Sequence, residues 1–376
     1  MSRIGIDARF YGSIGKGLGR YTQKLIEHLE KIDSENQYFV FLRRENFEEY
    51  QSTKPNFQKV LADYGWYSFA EQLLFPSLLN SYKLDLMHFP HFNVPILYFR
   101  KFVITIHDLI LLHFPTKRAS TLPTVWYWLK FCAYRLVIWS GIVRSQKIIA
   151  VSEFTKKDIL SQYSIAENKL VVTYEACEKS FPKSLQASEQ TLEKYGILKP
   201  YLLYVGNAYP HKNLELLIAA FKDVSIDLKD LNLVLVGKED YFYSRLKAQV
   251  KKKKIEGIIF PGFVSDEDLG AIYAQALLYV FPSLYEGFGL PPLEAMEKGV
   301  PVVCSDSTCL PEILGEGALF IDAEKKVEIM GAILKVVGDE NLRNELIAKG
   351  RKQVEKYSWD KMAKETLNIY LENVNK

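Results

Sequence analysis

The chain alternates short apolar runs with longer amphipathic periods from its first residues onward. Apolar runs such as RIGIDA, YFVFL and FVITIH predict strands, and YTQKLIEHLEKI predicts a helix with Leu25, Ile26 and Leu29 on one face. The predicted strands are apolar almost throughout, which is typical of a parallel sheet covered by helices on both faces. A polar stretch with two prolines, residues 175–200, interrupts the alternation and is interpreted as a linker.

A second alternating series follows this interpreted linker. Its predicted strands are YLLYVG, LNLVLVG, GIIFPGF, ALLYVFPS, VPVVCSD and GALFID. Two such series within 376 residues predict an α/β protein of two doubly wound, Rossmann-like domains that face each other across a cleft. We place the first domain at residues 1–180 and the second at residues 195–356.

One aromatic segment, Leu122 to Val143, approaches the length of a membrane span. Lys130 and Arg135 lie near its middle, where a charge costs roughly 2.5–3.5 kcal/mol in a spanning helix. We therefore expect no span. A buried helix is the favoured interpretation, and a helix lying on a membrane surface is the alternative.

Charge and cysteine usage narrow the class of protein further. The formal net charge of +3 is too small to indicate a nucleic-acid partner, although it is compatible with an anionic substrate or membrane surface. The four cysteines form no CxxC pair, which favours a reducing compartment, and MSRIGIDARF at the N-terminus lacks the apolar core of a signal peptide. We expect a cytoplasmic protein, with association at the inner face of a membrane left open.

The strongest candidate chemistry lies in SLYEGFGLPPLEAMEKGVP, which follows a predicted strand and continues into a helix. Glu286 lies in the loop, where Gly287 and Gly289 let the backbone approach a ligand closely. Glu294 falls in the first turn of the helix, whose N-terminus offers N–H groups to an anion. Because carboxylates accept hydrogen bonds from sugar and ribose hydroxyls, we interpret this element as a ligand site rather than a turn with two surface glutamates.

Two further candidates follow predicted strands. Lys212 lies between a strand and a helix, where its ammonium can reach a pyrophosphate and neutralise a leaving diphosphate; a surface lysine is the alternative. His107 ends the run VITIH, at the carboxyl end of a strand, where α/β domains bind ligands. On position alone, a structural histidine is the favoured interpretation, and a hydrogen bond to a ligand is the alternative.

The loop GSIGKGLGRY joins the first predicted strand to the first helix. Gly15 and Gly17 allow the backbone to meet phosphates or an acceptor, and Lys16 and Arg20 are candidate phosphate partners. The loop contains neither the lysine–serine pair of a P-loop nor a clean GxGxxG. A nicotinamide-dependent oxidoreductase with two Rossmann-like domains would need a clean GxGxxG, so this function is a less favoured alternative for the chain.

Two histidines have the spacing of metal ligands. His88 and His91 stand in HFPHF, but Pro90 between them opposes a helix, and no carboxylate or cysteine accompanies them. We expect no metal site and no cofactor.

Several of these motifs together resemble those of a known protein family. EGFGLPPLEAM resembles the EX7E signature of the family four retaining glycosyltransferases, which have the GT-B fold. The resemblance extends over nearly the whole chain, because further motifs stand in the order that the family shows: GIDARF with GKGLGRYTQKL, VITIHDL, IIAVSEFTKKDIL, YVGNAYPHKNLELLIAAF, FPGFVSDEDLGAIYAQA and CSDSTCLPEILGEGALFID.

The resemblance implies a chemistry and a set of contacts for the EGFG element. It implies a metal-independent transfer with retention at the anomeric carbon, in which the leaving phosphate takes the acceptor proton. Glu286 would bond a hydroxyl of the donor sugar, helped by the backbone N–H groups of Gly287, Phe288 and Gly289, and Glu294 would hold the ribose.

The resemblance also assigns roles outside that element. We assign catalytic roles to Glu286, Lys212 and His107. Lys212 would bind phosphate. His107 stands where the family has a functionally important histidine, so we expect it to hydrogen-bond the donor sugar or the acceptor. The family often has an arginine where this chain has Asn207, which leaves one phosphate partner unassigned. We place the following residues among those that bind the donor: Asn207, Leu290, Gly15 and Gly17.

The reaction expected from the resemblance is hexose transfer from a nucleotide-diphosphate sugar, with GDP-mannose favoured, to a glycan or lipid-linked saccharide. The amphipathic terminal helix, 357–376, is expected to pack back on the first domain, as it does in GT-B proteins. A non-catalytic GT-B binding protein is the alternative, and the presence of both Glu286 and Lys212 weighs against it.

Overall fold

The computed structural model describes residues 1–115, 123–178 and 185–374. The chain divides into two compact units. One unit comprises Met1–Glu175 and Ser358–Lys376, and the other comprises Ala176–Tyr357.

The first unit is built on a parallel sheet. Its described residues contribute seven strands: β1 (Arg3–Asp7), β2 (Gln37–Leu42), β3 (Phe57–Leu61), β4 (Leu86–Phe89), β5 (Phe102–Ile106), β6 (Ile148–Ala150) and β7 (Leu170–Val172). They lie in the order β3-β2-β1-β4-β5-β6-β7, and every pairing is parallel. The winding changes direction between β1 and β4, and such a switch point is where α/β sheets open a ligand crevice.

The helices of the first unit follow the predicted alternation. Those ahead of the second unit in the described residues are α1 (Lys16–Ile32), α2 (Phe69–Leu73), α3 (Phe75–Ser81), α4 (Ile110–His113), α5 (Thr124–Arg144) and α6 (Glu153–Gln162). Leu25, Ile26 and Leu29 of α1 are fully buried, so the predicted core face of this helix is confirmed.

The second unit repeats the architecture with its own sheet. Its described residues contribute six parallel strands: β8 (Tyr201–Val205), β9 (Asn232–Val236), β10 (Ile258–Gly262), β11 (Leu278–Phe281), β12 (Val302–Ser305) and β13 (Ala318–Ile321). Their order is β10-β9-β8-β11-β12-β13, the doubly wound order, with its switch point between β8 and β11.

Helices cover this second sheet and then complete the first unit. Those of the second unit, within the described residues, are α7 (Leu185–Lys194), α8 (Leu214–Asp227), α9 (Tyr241–Lys252), α10 (Asp266–Ala274), α11 (Leu290–Glu297), α12 (Leu310–Leu314), α13 (Lys326–Gly338) and α14 (Glu340–Val354). The last helix, α15 (Trp359–Val374), belongs to the first unit, where the Tyr370 hydroxyl lies 2.6 Å from Nδ1 of His88.

The stretch interpreted as a linker is not one throughout. Its described part contains α7, and Leu192 of this helix is buried in the second unit. Lys194 Nζ lies 2.7 Å from a carboxylate oxygen of Asp268, to which the Tyr195 hydroxyl also donates at 3.0 Å. The sequence pattern missed α7 because a short helix that buries one narrow face needs few apolar residues. Residues 179–184 of the stretch lie outside the described residues.

The favoured expectation of a buried aromatic helix is also corrected. Among the side chains of α5 that the structure describes, one side is packed, chiefly by Ile138 and Ile142, while Trp128 and Trp139 are about half exposed. No helix among the described residues is long and apolar enough to cross a membrane. The prediction failed because apolar residues occupy more of the helix than the sheet can cover. Leu122 lies outside the described residues.

Candidate functional site

The switch point of the second sheet brings two predicted site residues together. Lys212 ends a short 3-10 turn, Pro210–Lys212, between β8 and α8, and Glu286 lies in the loop between β11 and α11. The ammonium of Lys212 donates to Oε1 of Glu286 and forms an ion pair with it, across 74 residues of sequence. The two side chains are only 12% and 11% exposed. Two opposite charges are thus held at the carboxyl ends of adjacent strands, where α/β sheets bind ligands.

Hydrogen bonds fix the two loops that carry this ion pair. The carbonyl oxygen of His211 accepts from the backbone N–H of Leu284 at 2.7 Å and from the hydroxyl of Ser283 at 3.3 Å. The backbone N–H of Glu286 donates to the hydroxyl of Thr308 at 3.2 Å. These bonds join the two loops to each other and to Thr308, so the relative position of Lys212 and Glu286 does not depend on the ion pair alone.

The glycine before α11 is required by its conformation and its surroundings. Gly289 has φ +92°, and a Cβ there would lie 2.7 Å from Cδ2 of Leu310. Pro291 and Pro292 occupy the next helical positions and carry no N–H. Anion binding at this helix start therefore relies on few amides, among them that of Leu290, which makes the ammonium of Lys212 the more important group for an anion.

Glu294 has a different partner from Glu286. Its Oε2 accepts from the hydroxyl of Tyr273 on α10 at 3.2 Å, and the side chain is partly exposed. The structure therefore places both glutamates of the EGFG element on one loop–helix unit, with Glu286 paired to a cation and Glu294 to a neutral hydroxyl.

Asn207 makes local hydrogen bonds, and the environment of His211 determines its charge. The side-chain oxygen of Asn207 accepts from the backbone N–H of Tyr209 at 3.3 Å, and its carbonyl accepts from the Tyr204 hydroxyl at 2.8 Å. Burial, together with the charge of Lys212, lowers the pKa of His211 to about 4. His211 is therefore neutral near pH 7 and supplies no second cation beside Lys212.

In the first unit, His107 is held at both ring nitrogens. Nδ1 lies 2.8 Å from Oε1 of Glu175, and Nε2 lies 3.0 Å from the carbonyl oxygen of Pro90. Burial alone would lower the pKa of His107, but the hydrogen bond and charge of Glu175 outweigh it, and the pKa is raised. The carbonyl oxygen and the carboxylate are both acceptors, so this geometry and the raised pKa favour the imidazolium form, in which both nitrogens donate. His107 therefore has no lone pair for a general base in this arrangement.

A buried chain of hydroxyls links His107 to the terminal helix. The ring of Tyr21 packs edge-on against His107 with centroids 4.8 Å apart, and its hydroxyl lies 3.0 Å from Oγ1 of Thr105. The same oxygen lies 2.9 Å from Nε2 of His88, whose other nitrogen meets Tyr370 of α15. Burial lowers the pKa of His88 to about 3, so this histidine is neutral and structural.

The sequence predicted no metal site. Within the described residues, no group of three or more His, Cys, Asp and Glu side chains is placed to hold a metal ion.

The glycines of the first loop differ in what they are needed for. A Cβ at Gly15 would lie 2.0 Å from the carbonyl oxygen of Phe10, so packing excludes a side chain there. A Cβ at Gly17 would meet no atom within 4 Å. Local packing therefore does not require a glycine at position 17, so contact with a ligand is a possible reason for this residue. The side chain of Lys16 lies outside the described part of the structure.

Two charged residues were missed by the sequence reasoning. Glu175 belongs to no recognisable sequence motif, and only the fold brings its carboxylate into contact with His107. Arg9, fully buried after β1, makes hydrogen bonds of 2.8 and 2.7 Å to both carboxylate oxygens of Asp7 and lies 2.7 Å from Glu71. The letters DAR directly after an apolar strand were the available signal for Arg9, since charges there must find buried partners.

Comparisons with known proteins add family evidence to this geometry. The family model described as Glycosyltransferase Family 4 matches residues 15–178, and the model described as Glycosyl transferases group 1 matches residues 189–353.

Named relatives and a solved structure agree with these matches. The O-antigen chain mannosyltransferase B of Escherichia coli is 33% identical over 78% of this chain and 75% of its own length. The O-antigen chain mannosyltransferase RfbU of Salmonella typhimurium is 28% identical over 79% of this chain and 76% of its own. A sucrose-phosphate synthase from Thermosynechococcus elongatus superposes with a TM-score of 0.79 at 18% identity, covering 99% of both chains. The last likeness confirms the predicted fold class, two Rossmann-like units of GT-B type.

Proposed function

The chain belongs to the group 1, family four glycosyltransferases, and from that premise we propose that it is a retaining mannosyltransferase that uses GDP-mannose. The observation that carries the proposal is the Lys212–Glu286 ion pair at the switch point of the second sheet. The choice of mannose is supported by the relatives, which are named mannosyltransferases. We propose that the acceptor is a glycan or a lipid-linked saccharide.

The two charges suit the two ends of a nucleotide-diphosphate sugar. The bond between the anomeric carbon and the phosphate oxygen breaks, and an acceptor hydroxyl oxygen bonds to that carbon on the same face. The acceptor proton passes to the leaving phosphate oxygen. Lys212 neutralises the negative charge that develops on the diphosphate, and Glu286 accepts a hydrogen bond from a sugar hydroxyl. This route needs no side-chain base, which agrees with the doubly donating ring of His107.

The ion pair also explains how two charged side chains can be largely buried at this site. A lone Lys212 or Glu286 at this burial would be costly, so each charge neutralises the other. When the donor binds, its phosphate takes over the ammonium and its hydroxyl donates to the carboxylate. Glu294, held by Tyr273, then binds the ribose, and the backbone from Gly287 to Leu290 lies against the sugar.

The remaining parts of the proposal concern conditions of catalysis. We propose that transfer needs no added metal, since Lys212 supplies the positive charge at the diphosphate. We propose a cytoplasmic site of action at the inner face of a membrane, supported by the exposed aromatic face of α5. In the first unit, Gly15, Gly17 and the imidazolium of His107 are proposed to face the ligand.

A donor panel tests the proposal directly. Thermal unfolding is measured with GDP-mannose, GDP, UDP-glucose and NAD in the presence of a chelator. A ligand at a hundredfold excess over its Kd stabilises the folded state by about 2.7 kcal/mol. We expect a shift with GDP-mannose that is lost in Glu294→Ala, and an α-configured product by NMR when an acceptor is supplied. A shift with NAD alone, or binding of GDP-mannose without turnover on any acceptor, would contradict the proposal.

A further inference from the structure

Helix α5 exposes a continuous apolar stripe. Six apolar residues follow one another along it at alternating intervals of four and three residues, which places them on one helical face. All six are exposed, namely Val125, Leu129, Cys132, Leu136, Trp139 and Val143. Trp128 borders the stripe and is 47% exposed.

The stripe is distinct from the face that holds α5 on its unit. Ile138 and Ile142 are fully buried and form the packed face, while the side chains of the stripe other than Cys132 are 44% to 70% exposed. A helix that needed only to cover the sheet would carry polar residues on its outer face. The apolar outer face of α5 therefore indicates a binding surface that is separate from the packed face.

The charges on α5 all have one sign. Residues 124–144 include no Asp or Glu, and Lys130 and Arg135 are exposed on either side of the stripe. Within the described residues, neither has a carboxylate within ion-pair distance. Arg144 is used internally, since its guanidinium donates to the carbonyl oxygen of Ile96 at 2.7 Å. Among the described residues, the flanks of the stripe are thus cationic.

A half-open cavity of about 500 Å³ continues the stripe. Arg135, Leu136 and Trp139 line it from α5, and Leu112 and Tyr163 line it from neighbouring segments. The cavity joins an apolar wall to a guanidinium, the combination that an acyl chain with an anionic headgroup would contact.

From these observations we propose that α5 docks on the surface of an anionic lipid bilayer, with its axis along the membrane plane and its stripe at the headgroup–acyl boundary. Tryptophan is enriched at that boundary, and amphipathic helices with Lys or Arg flanks bind there. A second copy of the chain fits less well, because two copies of α5 would bring cationic flanks together with no acidic residue on the helix to oppose them. The inference deepens the proposed function and rests on it for its purpose, which is to bring the enzyme to a lipid-linked acceptor.

Vesicle sedimentation of the full chain tests the docking surface. Vesicles of phosphatidylcholine alone are compared with vesicles that also contain phosphatidylglycerol. We expect binding to the anionic vesicles that weakens by at least about tenfold in Leu136→Glu and by about tenfold in the Lys130→Gln, Arg135→Gln double variant, since each basic side chain near an anionic surface contributes to attraction.

Matched variants elsewhere separate this surface from general charge effects. Val327→Glu adds the same charge at an exposed position of α13, and Lys251→Gln with Lys252→Gln removes two charges from the exposed end of α9. Both controls should bind vesicles like the unaltered chain. Loss of binding in the Lys251, Lys252 variant, or full binding by Leu136→Glu, would overturn the proposal.

Two parallel readouts decide the remaining outcomes. Analytical ultracentrifugation that shows a dimer split by Leu136→Glu, with vesicle binding unchanged, would assign the stripe to a second copy and overturn membrane docking. GDP-mannose thermal shifts are measured on the same preparations. Vesicle binding without such a shift would support the docking surface while contradicting the proposed function, so the two failures are distinguishable.

Discussion

His107 and Glu175 are joined by a 2.8 Å hydrogen bond between Nδ1 and Oε1, although 68 residues separate them in the sequence. His107 follows β5, and Glu175 is the last residue of the first unit before the chain enters the second. With the carbonyl oxygen of Pro90 at the other nitrogen, the pair holds a cation at the carboxyl end of the first sheet. We therefore propose that His107 carries a positive charge that suits an anionic or hydroxylated ligand, and that Glu175 is its positioning residue.

Glu175→Gln should make the stability of the first unit depend differently on pH. The pKa of His107 is raised in the folded protein, so its contribution is fully present below the unfolded value of about 6.5 and is lost as pH rises through the folded value. The amide removes the charge that raises this pKa, and burial then dominates. We expect the loss in Tm to be larger near about pH 6 than near about pH 9.

A double variant isolates the pair in this experiment. Adding His107→Gln to Glu175→Gln should remove the pH-dependent part of the Tm difference, because no imidazole is left to protonate. The pKa of His107 can be followed directly through its Cε1 proton by NMR. A deficit that is the same at both pH values, or one that grows as pH rises, would contradict the imidazolium assignment.

Lys212→Met should strongly reduce the rate of transfer, and it should also lower the Tm of the protein without ligand. It removes the charge proposed to stabilise the leaving diphosphate, and the loss of one such group costs about 10²–10³ in kcat. It also leaves Glu286 largely buried without its cation, so a lower Tm is expected as well. Lys251→Met, at an exposed helix end, serves as the matched control for removal of a lysine.

The kinetic outcome for Lys212 is compared with that for Glu286→Gln. The amide can still meet a sugar hydroxyl but loses the charge, so we expect kcat/KM to fall less than in Lys212→Met. Unchanged kcat/KM in both variants, with Tm lowered in both, would show that the ion pair serves the fold and not the reaction.

The sequence predicted the parts of this molecule that local patterns determine. Apolar strands and their alternation with helices indicated two parallel sheets, and short motifs placed Lys212 and Glu286 at strand ends. The Glu175 partner of His107 could not be predicted, because a contact between distant residues is created by strand order and not by spacing. The exposure of α5 was missed for a related reason, since an apolar face looks the same in the sequence whether a sheet or another surface covers it.

Tyr370→Phe should loosen the terminal helix of the first unit. The hydroxyl lies 2.6 Å from Nδ1 of the fully buried His88, and its removal leaves a buried polar atom unpaired, at a cost of about 1–3 kcal/mol. Because the chain has two units, hydrogen exchange of the α15 amides is the suitable measurement rather than a single unfolding energy. Tyr241→Phe, at a 57% exposed position, is the control. Equal protection of α15 in both variants would show that the hydroxyl contributes nothing to holding this helix.

Gly15→Ala and Gly17→Ala should separate folding from ligand contact in the first loop. A Cβ at Gly15 would lie 2.0 Å from a backbone oxygen of Phe10, so we expect a clearly lowered Tm and lower activity as a consequence. A Cβ at Gly17 meets nothing within 4 Å, and in a helix alanine is favoured over glycine by about 1 kcal/mol, so Tm should hold or rise. If Gly17 is kept for close approach of the ligand, Gly17→Ala should nevertheless lower kcat/KM. Full activity in this stable variant would remove Gly17 from the ligand site and leave the loop with a structural role.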